Sequence, residues 1–229
     1  MLLEAKKLCK GYLSKKAIKD VSMALETGKI YGFLGPNGSG KTTFMKMAAG
    51  LLHPTSGELR IDGQLIGIET KKLAAYMSTD NFIYPYMKIK TVRAYFTDFF
   101  EDFDGNRFDE LLKYMQLEPH LKVSSLSSGM AAKLKIAVTL ARKAKLFMLD
   151  EPLNGIDLVA REKILNAIVQ CANEGNTILI SSHLVDEMEK ILDNVILLKD
   201  GEIVLTGEAE KVREEQGKSI VELYKEVYA

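Results

Sequence analysis

The sequence predicts an α/β fold with a mainly parallel sheet, an N-terminal antiparallel β-layer and a helical insert. Short, continuously apolar runs alternate with helix-compatible segments, which is typical of parallel strands covered on both faces. Earlier segments alternate in polarity and are joined by turns, which favours antiparallel pairing. The chain has 229 residues, enough for one domain with a well-buried core.

The parallel part of the sheet is predicted from apolar segments that are each followed by a helical one. The predicted strands are residues 30–34, 146–149, 177–180 and 195–198. The predicted helices are residues 42–51, 130–142, 159–172 and 185–192. Strands that are apolar throughout are buried on both faces, so we expect helices on both sides of this sheet.

The antiparallel layer is predicted from the first part of the chain. Its expected strands are residues 2–8, 21–25 and 58–61, with a turn at Asp62-Gly63. A further hairpin is predicted at Asp200-Gly201, because this two-residue turn signal lies between residues 195–199 and 202–205.

Residues 78–144 differ in character from the segments on either side. They are mainly helical, with helices predicted at residues 92–100 and 107–115. We therefore predict a single domain in which residues 1–77 and 145–229 form the core and residues 78–144 form a helical subdomain. The charged segment 209–228 is predicted to be a solvated helix.

Composition excludes several classes of function. Lys and Arg balance Asp and Glu at 31 each, which gives no support for a nucleic-acid partner. The chain starts with a strand-like segment and no signal peptide, and no apolar run approaches the roughly 20 residues of a membrane-spanning helix. Cys9 and Cys171 are isolated, fit no metal-ligand spacing, and are expected to be reduced thiols.

A glycine-rich loop joins the predicted strand 30–34 to the predicted helix 42–51. Glycines let successive backbone N–H groups converge on an anion, and the helix N-terminus adds its positive dipole end. The strand–loop–helix context favours a nucleotide phosphate site over a plain glycine-rich turn. Lys41 would reach the β- and γ-phosphates, and Thr42 would bind Mg²⁺. The loop comprises Gly35, Pro36, Asn37, Gly38, Ser39, Gly40, Lys41, Thr42 and Thr43.

Two consecutive carboxylates end the predicted strand 146–149. Asp150 would lie at the carboxyl edge of the sheet beside the phosphate loop, where it can hold Mg²⁺. Glu151 would point to the other side and polarise the attacking water. Taken alone, the pair also fits a strand followed by an acidic helix cap. The upstream phosphate loop favours the catalytic interpretation.

Two other polar features have a second, functional interpretation in a protein that has a phosphate loop. Ser127 and Gly129 open a predicted helix, where Ser127 is an N-cap in the simplest interpretation. Small residues at the start of a helix also leave backbone N–H groups exposed, and these groups can contact a phosphate. His183 follows the predicted strand 177–180. A histidine there is usually a satisfied polar residue, but near a γ-phosphate it can donate a hydrogen bond to the phosphate or hold the attacking water.

Together these residues resemble the nucleotide-binding subunit of ATP-binding cassette (ABC) transporters, over essentially the whole chain. Residues 35–42 match the Walker A loop, residues 146–151 the Walker B strand with its glutamate, and residues 126–130 the family signature. The resemblance implies a P-loop NTPase core and ATP hydrolysis with ATP and Mg²⁺ as ligands.

The same resemblance assigns three further positions. Residues 154–157 resemble the D-loop, and His183 resembles the switch histidine. Tyr12 lies where the family places an aromatic ring that stacks on adenine. It discriminates little between bases, so a preference for ATP over GTP does not follow.

Family resemblance also implies partners and a location. Two such subunits, identical or homologous, would sandwich two ATP molecules head to tail, with the signature of one covering the γ-phosphate of the other. Closure would drive a transmembrane permease subunit, which places the protein in the cytoplasm at the inner face of the membrane. The short segment 204–229 leaves no room for the regulatory domain of many importers, which favours an exporter.

The sequence departs from the family pattern at two points. The signature, usually Leu-Ser-Gly-Gly-Gln, has Ser128 and Met130 at its third and fifth positions, but Ser127 and Gly129 remain. Thr79 occupies the usual glutamine position, followed by Asp80. Threonine is too short to span the same distance, so we expect weakened hydrolysis or altered coupling unless Asp80 reaches the site.

Three aromatic residues follow this departure: Phe82, Tyr84 and Tyr86. Packing in the core is the simplest interpretation. This region faces the membrane subunit in the family, so we expect at least one ring to be exposed and to contact the partner.

Two other functions compete with the exporter subunit. One is a non-transport ATPase of the same superfamily that acts on DNA or ribosomes. The short interval between the phosphate loop and the signature, the single cassette and the balanced charge disfavour it. The other is a regulatory cassette with little turnover, which Thr79 favours and the intact Glu151 and His183 disfavour.

Overall fold

The structure, a computed structural model, describes residues 1–13, 15–173 and 175–228. The strands are β1 Leu3–Tyr12, β2 Lys15–Leu25, β3 Ile30–Leu34, β4 Ser56–Ile61, β5 Gln64–Leu65, β6 Ala74–Met77, β7 Leu146–Asp150, β8 Thr177–Ser182, β9 Asn194–Lys199 and β10 Glu202–Glu208. The α-helices are α1 Lys41–Ala48, α2 Thr70–Leu73, α3 Ile89–Phe99, α4 Gly105–Met115, α5 Ser128–Leu140, α6 Leu158–Asn173, α7 Val185–Met188, α8 Ala209–Gln216 and α9 Ile220–Tyr228.

The larger sheet contains six strands in the order β10-β9-β3-β8-β7-β6. All neighbouring pairs are parallel except β10 and β9, which form the hairpin predicted at Asp200-Gly201. Side chains of β3 alternate between two hydrophobic clusters, with Ile30 and Leu34 in one and Tyr31 and Phe33 in the other. Both faces of this sheet are therefore buried, as the apolar runs predict.

The smaller sheet is the predicted antiparallel layer, with the strand order β2-β1-β4-β5. Strands β1 and β2 are longer than the predicted segments 2–8 and 21–25. The register between them shifts at several points, and Lys7 and Asp20 have positive φ angles. Such bulges interrupt the alternation of polar and apolar residues, so the sequence pattern underestimates the length of these strands.

Helices α3, α4 and α5 lie between β6 and β7, where a helical insert is predicted. Their core is aromatic, since the Phe103 ring packs against Phe96 and Phe108 with ring centroids 5.7 and 5.5 Å apart. The exact division of the chain at residues 77 and 144 stays a prediction.

The ends of several predicted helices differ in the structure. Helix α1 ends at Ala48 rather than at residue 51, because Gly50 adopts a left-handed conformation with φ of 68°. Helix α5 begins two residues before the predicted start, since the Ser127 hydroxyl accepts a hydrogen bond from the Met130 N–H. The predicted helix 185–192 is the short α7 followed by a 3₁₀ turn at Glu189–Ile191.

The prediction of a solvated helix over residues 209–228 was wrong. This segment forms two helices, and α9 packs on the sheet with Ile220 and Leu223 almost fully buried. Its charged residues lie on the opposite side of an amphipathic helix, so average polarity conceals a buried stripe. Across the described part of the chain, every helix is too short or too polar to cross a membrane.

Phe108→Ala should lower the free energy of unfolding by about 3–5 kcal/mol, because it removes a fully buried ring from the helical core. Phe99→Ala is the matched control, since that ring is 69% exposed, and it should cost less than about 1 kcal/mol. Urea denaturation of both variants measures the difference. Equal losses would contradict this account of the insert.

Candidate functional site

The glycine-rich loop lies at the carboxyl edge of the six-stranded sheet, between β3 and α1. Two of its glycines are required by close backbone contacts. A Cβ atom at Gly35 would lie 2.5 Å from the Leu198 carbonyl oxygen, and one at Gly40 would lie 2.4 Å from the Ala17 carbonyl oxygen. Gly40 also has a φ of 114°, which side-chain-bearing residues rarely adopt. Packing against the neighbouring strands therefore determines the curvature of the loop.

Lys41 points back into the loop that it follows. Its ammonium group donates to the carbonyl oxygens of Gly35, at 2.6 Å, and Pro36, at 3.2 Å. The ammonium also lies 3.4 Å from Glu151 Oε1, and both side chains are more than nine-tenths buried. A buried cation beside a loop of converging N–H groups is suited to bind an anion.

Asp150, the last residue of β7, is fully buried at the same edge. Its carboxylate accepts hydrogen bonds from the hydroxyl groups of Thr42, at 3.1 Å, Ser181, at 2.5 Å, and Tyr76, at 3.1 Å. Burial and then the charge of Asp150 raise the pKa of Tyr76, so its hydroxyl stays protonated as a donor at neutral pH. Thr42 and Asp150 thus bring together a hydroxyl and a carboxylate oxygen, which are donors that Mg²⁺ prefers, and their role as metal ligands stays a prediction.

Tyr76 and Ser181 were missed by the sequence interpretation. The parallel registers could have found Ser181, because it pairs with Asp150 across β7 and β8. Tyr76 pairs with Met148 and reaches Asp150 through the length of its side chain. No local motif marks either residue.

Glu151 contacts a different set of neighbours from Asp150. Its φ of 50° turns the chain at the end of β7, and its N–H donates to Ser181. One carboxylate oxygen faces Lys41, and the other lies 2.9 Å from Nδ1 of His183. The structure therefore brings Lys41, Glu151 and His183 together, with Thr42 and Asp150 beside them.

The signature residues lie at the start of α5, next to Asp157. Ser127 acts as the N-cap of α5, and a Cβ atom at Gly129 would lie 3.1 Å from Asp157 Oδ2. Among the described residues, no hydrogen bond or ion pair joins Ser127 or Gly129 to residues 35–43. The role of Ser127 and Gly129 toward a phosphate bound by a second subunit stays a prediction.

Tyr12 ends β1 with its ring 44% exposed. The ammonium group of Lys10 lies 5.2 Å from the ring centroid. An exposed aromatic face of this kind is available for stacking on a base. The role of Tyr12 toward adenine stays a prediction.

The region of Thr79 contains an unexpected cation. Lys135 of α5 donates to the Thr79 carbonyl at 3.0 Å, and its ammonium lies 5.7 Å from the ring centroid of Phe82. Burial lowers the pKa of Lys135. Thr79, Lys135, Ser128 and Glu151 line one cavity of about 210 Å³. Lys135 thus links the loop that contains Thr79 to α5, the helix that begins at the signature residues.

Asp80 does not take the place of the missing glutamine in this structure. Its side chain is 80% exposed and lies 4.0 Å from the Lys46 ammonium. It also contacts the Ser78 hydroxyl, which accepts a hydrogen bond from the Asp80 N–H. Asp80 therefore faces outward, away from Glu151.

Known proteins match this fold and these motifs. A family model described as ABC transporter matches residues 18–154. The uncharacterized ABC transporter ATP-binding protein YxlF of Bacillus subtilis (strain 168) is 30% identical over 97% of this chain and 76% of its own length. The linearmycin resistance ATP-binding protein LnrL of the same strain is 30% identical over 90% of this chain and 69% of its own length.

A solved structure agrees with these relatives. An ATP-binding subunit of an ABC transporter superposes with a TM-score of 0.90 at 27% identity, and the match covers 100% of each chain. The chain therefore belongs to the ABC transporter family. Within that family it is an ATP-binding subunit, and the ATP-binding cassettes of ABC transporters are ATPases.

Thr79→Gln should raise the ATPase rate by about two- to tenfold if the short side chain weakens hydrolysis. The free energy of one restored hydrogen bond, if it lowers the barrier to hydrolysis, changes the rate by about that factor. Thr91→Gln, at an exposed position on α3, is the matched control and should leave the rate unchanged. Steady-state phosphate release by both variants is the measurement. Unchanged ATPase and transport in Thr79→Gln would show that Thr79 does not limit turnover.

Proposed function

We propose that this subunit hydrolyses ATP and couples the reaction to export through a membrane permease. The observation that carries the proposal is the cluster of Lys41, Glu151 and His183 at the edge of the phosphate loop, with Thr42 and Asp150 beside it. In such a cluster, an anion site, a metal site and a carboxylate base lie within hydrogen-bond distance of one another. The resistance function in the name of LnrL supports the exporter direction.

The loop residues 35–43 hold the phosphates of ATP in this proposal. Lys41 neutralises the β- and γ-phosphates, and Tyr12 stacks on the adenine. Thr42 and Asp150 hold Mg²⁺, and their hydroxyl and carboxylate oxygens, 3.1 Å apart, fit that hard cation. When bound, the ion offsets the negative charge that shifts between the β- and γ-phosphates.

Glu151 is the proposed general base. Its carboxylate accepts a proton as water oxygen attacks the γ-phosphorus, and the bond from that phosphorus to the β–γ bridging oxygen breaks, which yields ADP and phosphate. His183 orients the Glu151 carboxylate, because its Nδ1–H donates to Glu151 Oε2 at 2.9 Å. In the neutral ring Nε2 is then an acceptor, so His183 donates to the γ-phosphate from Nε2 only when both ring nitrogens carry a proton. The tautomer of His183 follows from that contact.

The working unit is a dimer of cassettes. Ser127 caps α5 and Gly129 lies in its first turn, and in this proposal both cover the γ-phosphate bound by a second cassette. The second cassette is another copy of this chain or a homologous one. Each site is then completed by residues from both subunits.

The permease docks beside the helical insert. A cleft of about 530 Å³ lies between the sheet core and the insert, with Leu52, Tyr76, Phe82 and Phe100 in its walls. Nearby, Tyr84 and Tyr86 stack with ring centroids 5.5 Å apart, and both rings are exposed, as predicted for this segment. Docking at this surface places the subunit on the cytoplasmic face of the membrane.

A regulatory cassette with little turnover is the second candidate. Thr79 at the usual glutamine position favours it, because threonine is too short to span the distance that glutamine does to Mg²⁺ and the attacking water. The contacts of Glu151 with Lys41 and His183 favour hydrolysis instead. No described feature of the surface favours the alternative of a non-transport ATPase that acts on DNA or ribosomes.

Glu151→Gln should lower kcat by about 10²–10⁴-fold, because the amide cannot accept the proton from water. The variant should accumulate as an ATP-bound dimer with ATP and Mg²⁺, as measured by light scattering after gel filtration. Glu162→Gln, at an exposed position on α6, is the control and should behave like the native protein. A Glu151→Gln protein that stays monomeric under these conditions would count against the dimeric mechanism.

A photoreactive phenylalanine in place of Tyr86, which is 72% exposed, should crosslink to the permease in membranes that contain the assembled transporter. The same residue in place of Tyr114, on α4 and 37% exposed, serves as the control. Electrophoresis and mass spectrometry identify the crosslinked chain. Crosslinks to the permease from position 114 alone would place the docking surface elsewhere.

A further inference from the structure

Helix α9 reaches the base of the phosphate loop through Tyr228. The phenolic hydroxyl of Tyr228 donates to the carbonyl oxygen of Leu198 at 2.9 Å and lies 3.4 Å from that of Leu34. Leu34 is the last residue of β3 and directly precedes Gly35. Burial raises the pKa of Tyr228, so the hydroxyl remains a protonated donor over the physiological range.

The Leu198 carbonyl that Tyr228 contacts also confines the loop itself. It is the atom that a Cβ at Gly35 would approach to 2.5 Å. The adjacent hairpin holds the loop a second time, since the Gly201 N–H donates to the Ser39 carbonyl at 2.9 Å. The end of β9 is therefore a direct packing surface for the phosphate loop, and Tyr228 bonds to that surface.

Contacts at both ends hold α9 in the position that this bond requires. At its start, the Ile220 N–H donates to Glu189 Oε1 at 2.7 Å. At its end, the Lys199 ammonium donates to the Val227 carbonyl at 2.6 Å, where a cation also interacts favourably with the helix dipole. The buried side chains of Ile220 and Leu223 fix the helix between these two points.

The two helices that reach the loop lie on opposite faces of the sheet. Phe44 and Met45 of α1 belong to the hydrophobic cluster that contains Phe33. Ile220 and Leu223 of α9 belong to the cluster that contains Leu34. The loop is thus held by α1 from one face and by α9 from the other.

We infer that Tyr228 is a positioning residue for nucleotide binding, which fixes the backbone before Gly35 so that the loop N–H groups stay aimed at the phosphates of ATP or ADP. It acts through Leu34 and Leu198 and touches no reacting atom. The inference rests on the proposed role of residues 35–43 as the phosphate site.

Tyr228→Phe is the decisive variant, because it removes only the hydroxyl and keeps the ring. The affinities for ATP and ADP, measured by calorimetry with Mg²⁺, should each fall by about three- to tenfold, the effect of one neutral hydrogen bond. KM for ATP should rise in parallel, while kcat at saturating ATP stays within about twofold. Tyr114→Phe, the same exchange at an exposed position on α4, should leave these values unchanged.

Tyr228→Leu separates the hydroxyl from the packing of the ring. If Tyr228→Phe binds both nucleotides like the native protein and only Tyr228→Leu is impaired, the ring contributes packing alone and the inference is wrong. It is also wrong if Tyr228→Phe lowers kcat and the melting temperature with KM unchanged. A native protein that binds neither ATP nor ADP would instead refute the proposed function.

Discussion

A single buried carboxylate connects the parts of this molecule that form its site. Asp150 is fully buried at the end of β7, where an isolated negative charge would be strongly unfavourable. Hydroxyl groups from Thr42, Ser181 and Tyr76 surround it, and they come from α1, β8 and β6. Satisfying this carboxylate therefore aligns the start of the loop helix with both strands that flank β7. The neighbouring Glu151 extends the network to Lys41 and His183.

This network also places the site next to the surface proposed for the permease. Tyr76 has one end at Asp150 and also lines the cleft between the core and the insert. On the other side of the site, Lys135 links the loop at Thr79 to the helix that begins with the signature. Tyr76 thus joins Asp150 to the cleft, and Lys135 joins the loop at Thr79 to the insert. The residues proposed to hold the nucleotide therefore lie close to the helical insert.

Much of the fold follows from local patterns. The apolar runs of β3 and β7 predicted a buried parallel sheet, and the turn at Asp200-Gly201 predicted the hairpin of β9 and β10. The glycine-rich loop and the pair Asp150 and Glu151 indicated the site. The pattern failed where local signals are weak: bulges conceal the length of β1 and β2, and the charged residues of α9 conceal its buried face.

The sequence by itself determined the fold class, the family and the identity of the loop, carboxylate and histidine residues, because these depend on residue types at fixed spacings. Tertiary structure alone decided which side chains meet. Tyr76, Ser181, Lys135 and Tyr228 reach the site from segments distant in the chain, and no local spacing records a contact made through strand register or helix docking. It also decided that the start of α5 lies beside Asp157, since helix packing brings together segments that are distant in the chain.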